Sequence, residues 1–428
     1  MPEHESPMTE DIVIANGFDR FHLLTAAVEA ERRGRLEHCI AGFYPTLQLQ
    51  SQLARLGLDR QQRILRLMDR KVALPDERLV TMPILETAGH VGARLLGDRS
   101  VKVARRRFGA KAKAVIKASN AKLYHYRTGF GHNSAAAARQ RGMATLADHS
   151  IAHPGVLAHL VANRGRLPAE GKQGAISPSW QDVMDDLRHA DRVLVNSDFV
   201  KETFIHQGWD PARVDVIYQG LDESFFEFLP EPGERSQPEP NAPLQLVFAG
   251  AFEQRKGADH LAEALAQLDD VPWTLQLVGP IDEGMRTRHA GFLDDPRITV
   301  VGRVSRGELA RRLLEADVFL FPSLAEGSAR VVFEALAAGC FVITTKNSGS
   351  IVEDGVHGYL VRPDAPSTTA EALRRAHADR DMVAKVGDAN SAQVRTDHRQ
   401  SSYGDALMAV YDRLLRHRQP AIGKREAA

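Results

Sequence analysis

Two carboxylates, Glu326 and Glu334, stand with seven residues between them in the run from Phe319 to Gly339. Phe319-Leu320-Phe321-Pro322 reads as a buried strand, and Ser323 to Gly327 as a polar turn. Ser328 is the expected N-cap of a helix that Gly339 stops. A helix start presents free backbone N–H groups and the positive end of the dipole, so it can hold a phosphate. Glu326 in the turn and Glu334, expected two turns into the helix, can accept hydrogen bonds from hydroxyl groups. One ligand would satisfy all three features: phosphates flanked by two polyol rings, as in a nucleotide sugar. The plainer alternative is an exposed capping acid and an unrelated surface glutamate. At the other end of the chain, Asn16-Gly17 closes the first apolar run, where a glycine lets backbone approach a phosphate; it also reads as an ordinary turn.

These residues need elements to hold them. Asp11 to Ala15, Lys122 to Tyr126, Met143 to Ala147 and Arg192 to Ser197 read as strands, with helical patterns over Phe21 to Glu31, Ser134 to Arg141 and Asp198 to Gln207. Strands alternating with helices predict a parallel sheet covered on both faces. A proline-rich acidic stretch, Pro230 to Pro240, interrupts the pattern, which resumes at Leu244 to Gly250, Thr274 to Gly279, Ile298 to Gly302, Val318 to Pro322 and Cys340 to Thr345. The expected organisation is a first domain over 1–222, a linker over 223–243, a second domain over 244–400, a helix at about 401–418 packing back on the first domain, and a tail over 419–428. The fold class is α/β: two Rossmann-like, doubly wound domains facing a central cleft, with ligands at the carboxyl ends of the strands.

Composition narrows the function. The 428 residues are 43% hydrophobic, enough for two cores, and 55 basic residues balance 55 acidic ones, so no global field favours nucleic acid. Two cysteines, Cys39 and Cys340, sit in or beside apolar runs and read as reduced core thiols of a cytosolic protein. The polar start Met1 to Glu5 lacks a signal-peptide pattern, and no apolar run reaches membrane-spanning length, so membrane contact is expected to be peripheral.

With these residues in place, the chain resembles the family-4 retaining glycosyltransferases of the GT-B fold. The glutamate pair matches the family's spacing, and the likeness continues through Ala190 to Ser197, Val216 to Asp222, Phe248-Ala249-Gly250 with Arg255-Lys256-Gly257, Glu315 to Ser323 and Val352 to Val361. The resemblance implies that Glu334 binds the donor ribose, Glu326 the hydroxyls of the transferred sugar, and Arg255 with Lys256 the diphosphate. Two fixed cations stabilise the charge left on the departing diphosphate, so no metal and no cofactor beyond the nucleotide-diphosphate sugar is expected. Read alone, the Arg-Lys pair also fits a solvated loop. The resemblance also implies backbone contacts from Ser328, Ala329 and Arg330, base contacts near Val304, and His149 beside the sugar. His149 with Asp148 and His153 also reads as a polar loop, and zinc at His149 and His153 has no source of further ligands. Departures from the family pattern are Ala251, where arginine is common, and Asn347 to Ile351, where paired glycines are usual.

The resemblance implies a hexose-type transfer to a glycan, lipid-linked or small-molecule acceptor. A sugar-nucleotide epimerase of the same architecture and a nucleotide-sugar-binding partner subunit without turnover are the alternatives, the latter motivated by Ala251. Between Arg94 and Arg127 eleven cations face one acid, Asp98. This stretch fits an anionic membrane surface at the cytoplasmic face, or a solvated helical region. No nucleic-acid motif accompanies it.

Overall fold

The structure is a computed structural model describing residues 10–55, 57, 68, 70–169, 176–235 and 242–418. The polar start, the segment 236–241 of the expected linker and the tail 419–428 lie outside the described residues.

Thirteen strands among the described residues form two sheets. The first orders β1 (Ile12–Gly17), β2 (Leu36–Ala41), β3 (Leu79–Thr81), β4 (Leu123–Arg127), β5 (Ala144–His149), β6 (Arg192–Val195) and β7 (Val214–Val216) as β3-β2-β1-β4-β5-β6-β7. The second orders β8 (Leu244–Ala249), β9 (Trp273–Val278), β10 (Ile298–Gly302), β11 (Val318–Phe321), β12 (Phe341–Thr344) and β13 (Gly358–Leu360) as β10-β9-β8-β11-β12-β13. The pairings of β1 with β2 and β4, and of β8 with β9 and β11, are parallel. Each sheet therefore reverses its winding beside its first strand, at β1/β4 and at β8/β11. The carboxyl ends of these strands form the crevice in which such sheets bind ligands.

The central strands are apolar throughout because helices cover both faces. Every residue of β11 is buried, and Phe319, Phe321 and Phe248 stack in the second core. Side-chain caps set several helix starts. Ser197 accepts from the Val200 N–H ahead of Asp198–His206, and Ser305 from the Glu308 N–H ahead of Arg306–Glu315. Both cysteines are free and buried, and burial pushes their thiols up, to about 12 for Cys39 and about 11 for Cys340.

The chain divides into two compact units. One runs to His149 and adds Ile176–Leu194 and the chain from Gly404; the other comprises Ser150–Ala175 and Val195–Tyr403. The boundary at residue 222, read from composition, differs from this division. Contacts made by Ser150, Asn196 and Ser197 with Gly327 hold those residues in the second unit, where a Cβ on Gly327 would sit 1.8 Å from the Ser150 carbonyl oxygen. The start of the expected linker is likewise structured. Glu223–Phe226 is helical, Phe225 and Leu229 join the second core, and the Arg235 guanidinium donates to the carbonyls of Leu314, Ala316 and Gly339. Its aromatic residues outweigh the local proline content. In the first unit, the Gln400–Arg418 helix is held by the Tyr411 hydroxyl, 2.8 Å from His125 Nδ1, and by Arg35 with Asp412 at 2.6 Å.

Gly257 has φ +84°, and a Cβ there would lie 2.0 Å from the Pro322 carbonyl oxygen. Gly208 has φ +81° with nothing within 4 Å. Gly208→Ala is expected to cost about 1 kcal/mol and Gly257→Ala at least twice that, because only the second adds a backbone clash. Urea melts of the two variants measure the difference.

Candidate active site

In the second unit, β11 delivers Pro322 to a turn whose shape is set by backbone. The Leu324 N–H and the Ser323 hydroxyl both donate to the Arg255 carbonyl, at 2.9 and 3.1 Å. Two N–H groups of the turn donate across to the segment after β12: Glu326 to the Asn347 carbonyl at 2.9 Å, and Ala329 to the Ser348 carbonyl at 3.0 Å. The Asn347 side-chain amide donates to the carbonyls of Leu324 and Gly165. The segment Asn347 to Ile351, to which the sequence assigned no ligand, thus acts through Asn347 and Ser348 as the brace of the turn. Gly349, at φ +60°, lets it approach: a Cβ there would lie 1.9 Å from the Gly327 carbonyl oxygen.

Arg255, Lys256 and Glu326 come together. Arg255 Nη1 donates to Glu326 Oε1 at 2.7 Å and to the Ala325 carbonyl at 3.0 Å, and its Nη2 donates to Glu253 at 2.7 Å. Lys256 Nζ is 3.5 Å from Glu326 Oε1 and sits over the Phe321 ring. Both cations engage one oxygen of Glu326. Glu253, absent from the sequence-based set, is the second carboxylate of the cluster; a single acid in a turn carries no spacing signal.

The helix following the turn is Arg330–Ala337, with Ala329 at its N-cap and no side-chain hydrogen bond there. This corrects two expectations. Ser328 precedes the cap instead of forming it, because Ala329 N–H is drawn to Ser348, and Glu334 lies one turn into the helix, not two. Glu334 is only 7% exposed, and its carboxylate has no hydrogen-bond partner among the described residues. Burial raises its pKa, and the charges of Arg330 and Arg306 pull it part of the way back. Arg330 itself is exposed. Val304 follows β10 and packs half-buried against the second core.

In the first unit, Gly17 ends β1 with φ +79°, and a Cβ there would fall 2.7 Å from the Phe130 ring, so packing alone requires glycine. His149 ends β5, buried, with Nδ1 3.1 Å from the Thr128 hydroxyl. Its neighbour Asp148 is the better-connected group. His22 Nε2 lies 2.7 Å from one carboxylate oxygen and His125 Nε2 3.4 Å from the other. Burial alone would raise the Asp148 pKa, yet the charge and hydrogen bonds of His22 and His125 outweigh it and hold the carboxyl well below its usual range. Burial lowers the pKa of His125, which Asp148 only partly offsets. His22 and His125 stand 103 residues apart in the chain, and only the parallel order of β1, β4 and β5 assembles them with Asp148. His153 caps the Pro154–Ala162 helix, its Nδ1 accepting from the Gly155 N–H. Asp19, Glu86 and His90 cluster at metal-ligand distances, but Arg70 pairs with Glu86 and lies 3.5 Å from Asp19, supplying the cation.

Two parallel-sheet Rossmann-like domains, with polar groups gathered at the carboxyl ends of the strands beside each winding reversal, define an α/β protein of the kind that binds nucleotide ligands. The chain belongs to the group 1, family 4 glycosyltransferases: the model described as Glycosyl transferases group 1 matches residues 243–379, and that described as Glycosyltransferase Family 4 matches residues 68–225. It is 32% identical to a D-inositol 3-phosphate glycosyltransferase of Mycolicibacterium vanbaalenii over 53% of this chain and 54% of that one. It is 27% identical to a putative colanic acid biosynthesis glycosyltransferase, WcaL, of Salmonella typhimurium over 55% and 59%. The chain spans about half the length of the curated relatives it matches. Among solved structures, sucrose-phosphate synthase of Thermosynechococcus elongatus shares the fold at TM-score 0.68 and 19% identity, covering 95% of this chain and 99% of that one. HepE of Anabaena, in complex with UDP and glucose, does so at 0.60 and 15%, covering 94% and 99%.

The first unit should be acid-sensitive in two steps. The lowered His125 pKa contributes stability that is lost as pH falls below the unfolded imidazole value of about 6.5. The lowered Asp148 pKa contributes stability that is lost as pH falls below the unfolded carboxyl value of about 3.9. Asp148→Asn is expected to lower stability at pH 7 and to flatten the lower limb, as read from denaturant midpoints across pH.

Proposed function

We propose that this chain transfers a hexose-type sugar from a nucleotide-diphosphate sugar to a hydroxyl of a glycan, lipid-linked or small-molecule acceptor, with retention at the anomeric carbon and without a metal. The observation that carries the proposal is Glu334. Its carboxylate is largely buried with no hydrogen-bond partner among the described residues, and two ribose hydroxyls would supply bonds to it. The cluster beside it supports the same reading. Arg255 and Lys256 are close enough to serve one diphosphate, and Glu326 Oε2 has no partner among the described residues to compete with a sugar hydroxyl.

In this reading the backbone N–H groups of Ser328 and Arg330 meet the phosphates, that of Ala329 being held by the Ser348 carbonyl, and the loop at Val304 meets the base. As the glycosyl phosphate bond breaks, the departing diphosphate gains charge, and the two cations stabilise it in place. Arg255 would exchange Glu326 for the diphosphate, freeing that carboxylate for the sugar. Ala251 makes Arg255 the arginine that does this work. His149 and Gly17, at the strand ends of the first unit, belong to the acceptor side. The UDP-bound and UDP-glucose-bound forms of HepE, which shares the fold, support a nucleotide-sugar donor. A lipid-linked acceptor would bring the chain to the cytoplasmic face of a membrane.

Calorimetric titration with a panel of sugar nucleotides, in chelator, tests the proposal. One donor is expected to bind, and Glu334→Ala to weaken it by roughly 10- to 100-fold, the effect of losing hydrogen bonds to a charged group. Arg255→Ala should reduce kcat by roughly 10²- to 10³-fold. A folded protein that binds no donor would favour the partner-subunit reading, and an inverted product in an NMR time course would overturn retention.

A further inference from the structure

The Arg94–Arg127 cations do not form one patch. Arg105 and Arg127 turn inward, each 5.2 Å from the Phe130 ring, and Lys102 Nζ donates to the Pro178 carbonyl at 2.7 Å. Arg94, Arg99, Arg106, Arg107, Lys111 and Lys117 remain exposed on two helices, Pro83–Leu96 and Asp98–Ala118. The helices form an antiparallel hairpin about Gly97. Gly89 lies against Ala104, and Gly92 against Ser100, with Phe18 also close to Gly89. Small residues thus turn the Pro83–Leu96 helix inward, and its large apolar residues are left outside.

Ile84 is 82% exposed, Leu95 76% and Val91 50%, with Ala88 exposed between them. At 3.6 residues per turn, positions 84, 88, 91 and 95 fall within an arc of roughly 60° on one face. This is the reverse of a helix whose apolar stripe packs on its own core. Arg94 borders the stripe, and Arg99 opens the next helix. The two helices hold only two acids: Glu86, buried against Arg70, and Asp98.

We infer that the outer face of the Pro83–Leu96 helix, with the exposed cations of the adjoining helix, docks onto an anionic lipid bilayer. An apolar stripe flanked by arginine, on helices with only two acids in their sequence, matches the boundary between acyl chains and anionic headgroups. Among the described residues no helix is long and apolar enough to cross a membrane, so the helix lies in the interface plane. The same stripe spacing would suit a second copy of the chain, but a twofold contact would bring Arg94 and Arg99 towards their own counterparts, and like charge opposes it. The inference stands on this surface alone and does not depend on the sugar-transfer reading.

The test is flotation of the full chain with vesicles of phosphatidylcholine alone or containing about one-third phosphatidylglycerol, at low and high salt. The wild type is expected to float with the anionic vesicles and to lose most of this binding with the neutral ones. Ile84→Asp with Leu95→Asp should weaken flotation by roughly tenfold or more, and Arg94→Gln with Arg99→Gln should remove much of its salt dependence. Both pairs are exposed, and an unchanged thermal melt verifies folding. As a second readout, Leu95→Trp should add an emission component that shifts to the blue with anionic vesicles. Flotation unaltered by the aspartates, no shift from Leu95→Trp, or a wild-type dimer that the aspartates dissociate would each overturn the inference.

Discussion

A pair of glutamates can serve one ligand only if the turn between them does not move. Here the turn from Pro322 to Ala329 is held by main-chain bonds, Leu324 to Arg255 on one side and Glu326 and Ala329 to Asn347 and Ser348 on the other, and by side-chain bonds from Ser323, Asn347 and Arg255. The glycines are where this bracing demands them. Gly257 lies under the Pro322 carbonyl, and Gly327 and Gly349 approach neighbouring backbone so closely that a Cβ at any of the three would sit at 2.0 Å or less from an oxygen. The bonds draw Ala329 into the cap position, and that choice sets where Glu334 enters the helix. The rest of the site depends on this one loop-to-loop contact.

Electrostatics divides between the units in different ways. In the second unit Arg255 is shared by Glu253 and Glu326, an arrangement that a polyanionic ligand can compete for because the cluster is only partly buried. In the first unit Asp148 lies between His22 and His125, and the Tyr411 hydroxyl meets His125 from the other ring nitrogen. Removing one member of such a buried set leaves the others unpaired, so it ties β4, β5, the start of the Leu23–Arg32 helix and the carboxy-terminal helix together. Asp186 plays a comparable part. Burial raises its carboxyl to about 6, while the N–H groups of Gly129, Gly131 and His132 donate to it and anchor the loop after β4.

Much of the architecture was legible in the order of the residues. Nearly every central strand announced itself as an apolar run ending in a turn, since a parallel strand covered on both faces has no polar side to show. The short edge strands β3, β7 and β13 left no such mark; three residues cannot display a period. The expected linker 223–243 took in Phe225 and Leu229, which dock on the second core. The glutamate pair and the Arg-Lys pair were legible because side chains of fixed type at fixed spacing form a pattern along the chain. Contacts made through backbone, as at Asn347 and Ser348, leave no comparable signature.

The sequence by itself determined two doubly wound domains from local pattern, and its resemblance to a known family gave the family and drew attention to Glu326, Glu334, Arg255 and Lys256. Tertiary structure alone decided that Ser328 is not the cap, that the Glu334 carboxylate is largely buried with no hydrogen-bond partner among the described residues, that Asp148 lies between two distant histidines, and that the cations of 94–127 separate into inward and outward groups. These outcomes depend on which surfaces meet across the sheet and the helical hairpin. Burial and charge pairing are properties of that meeting, and no spacing along the chain encodes them.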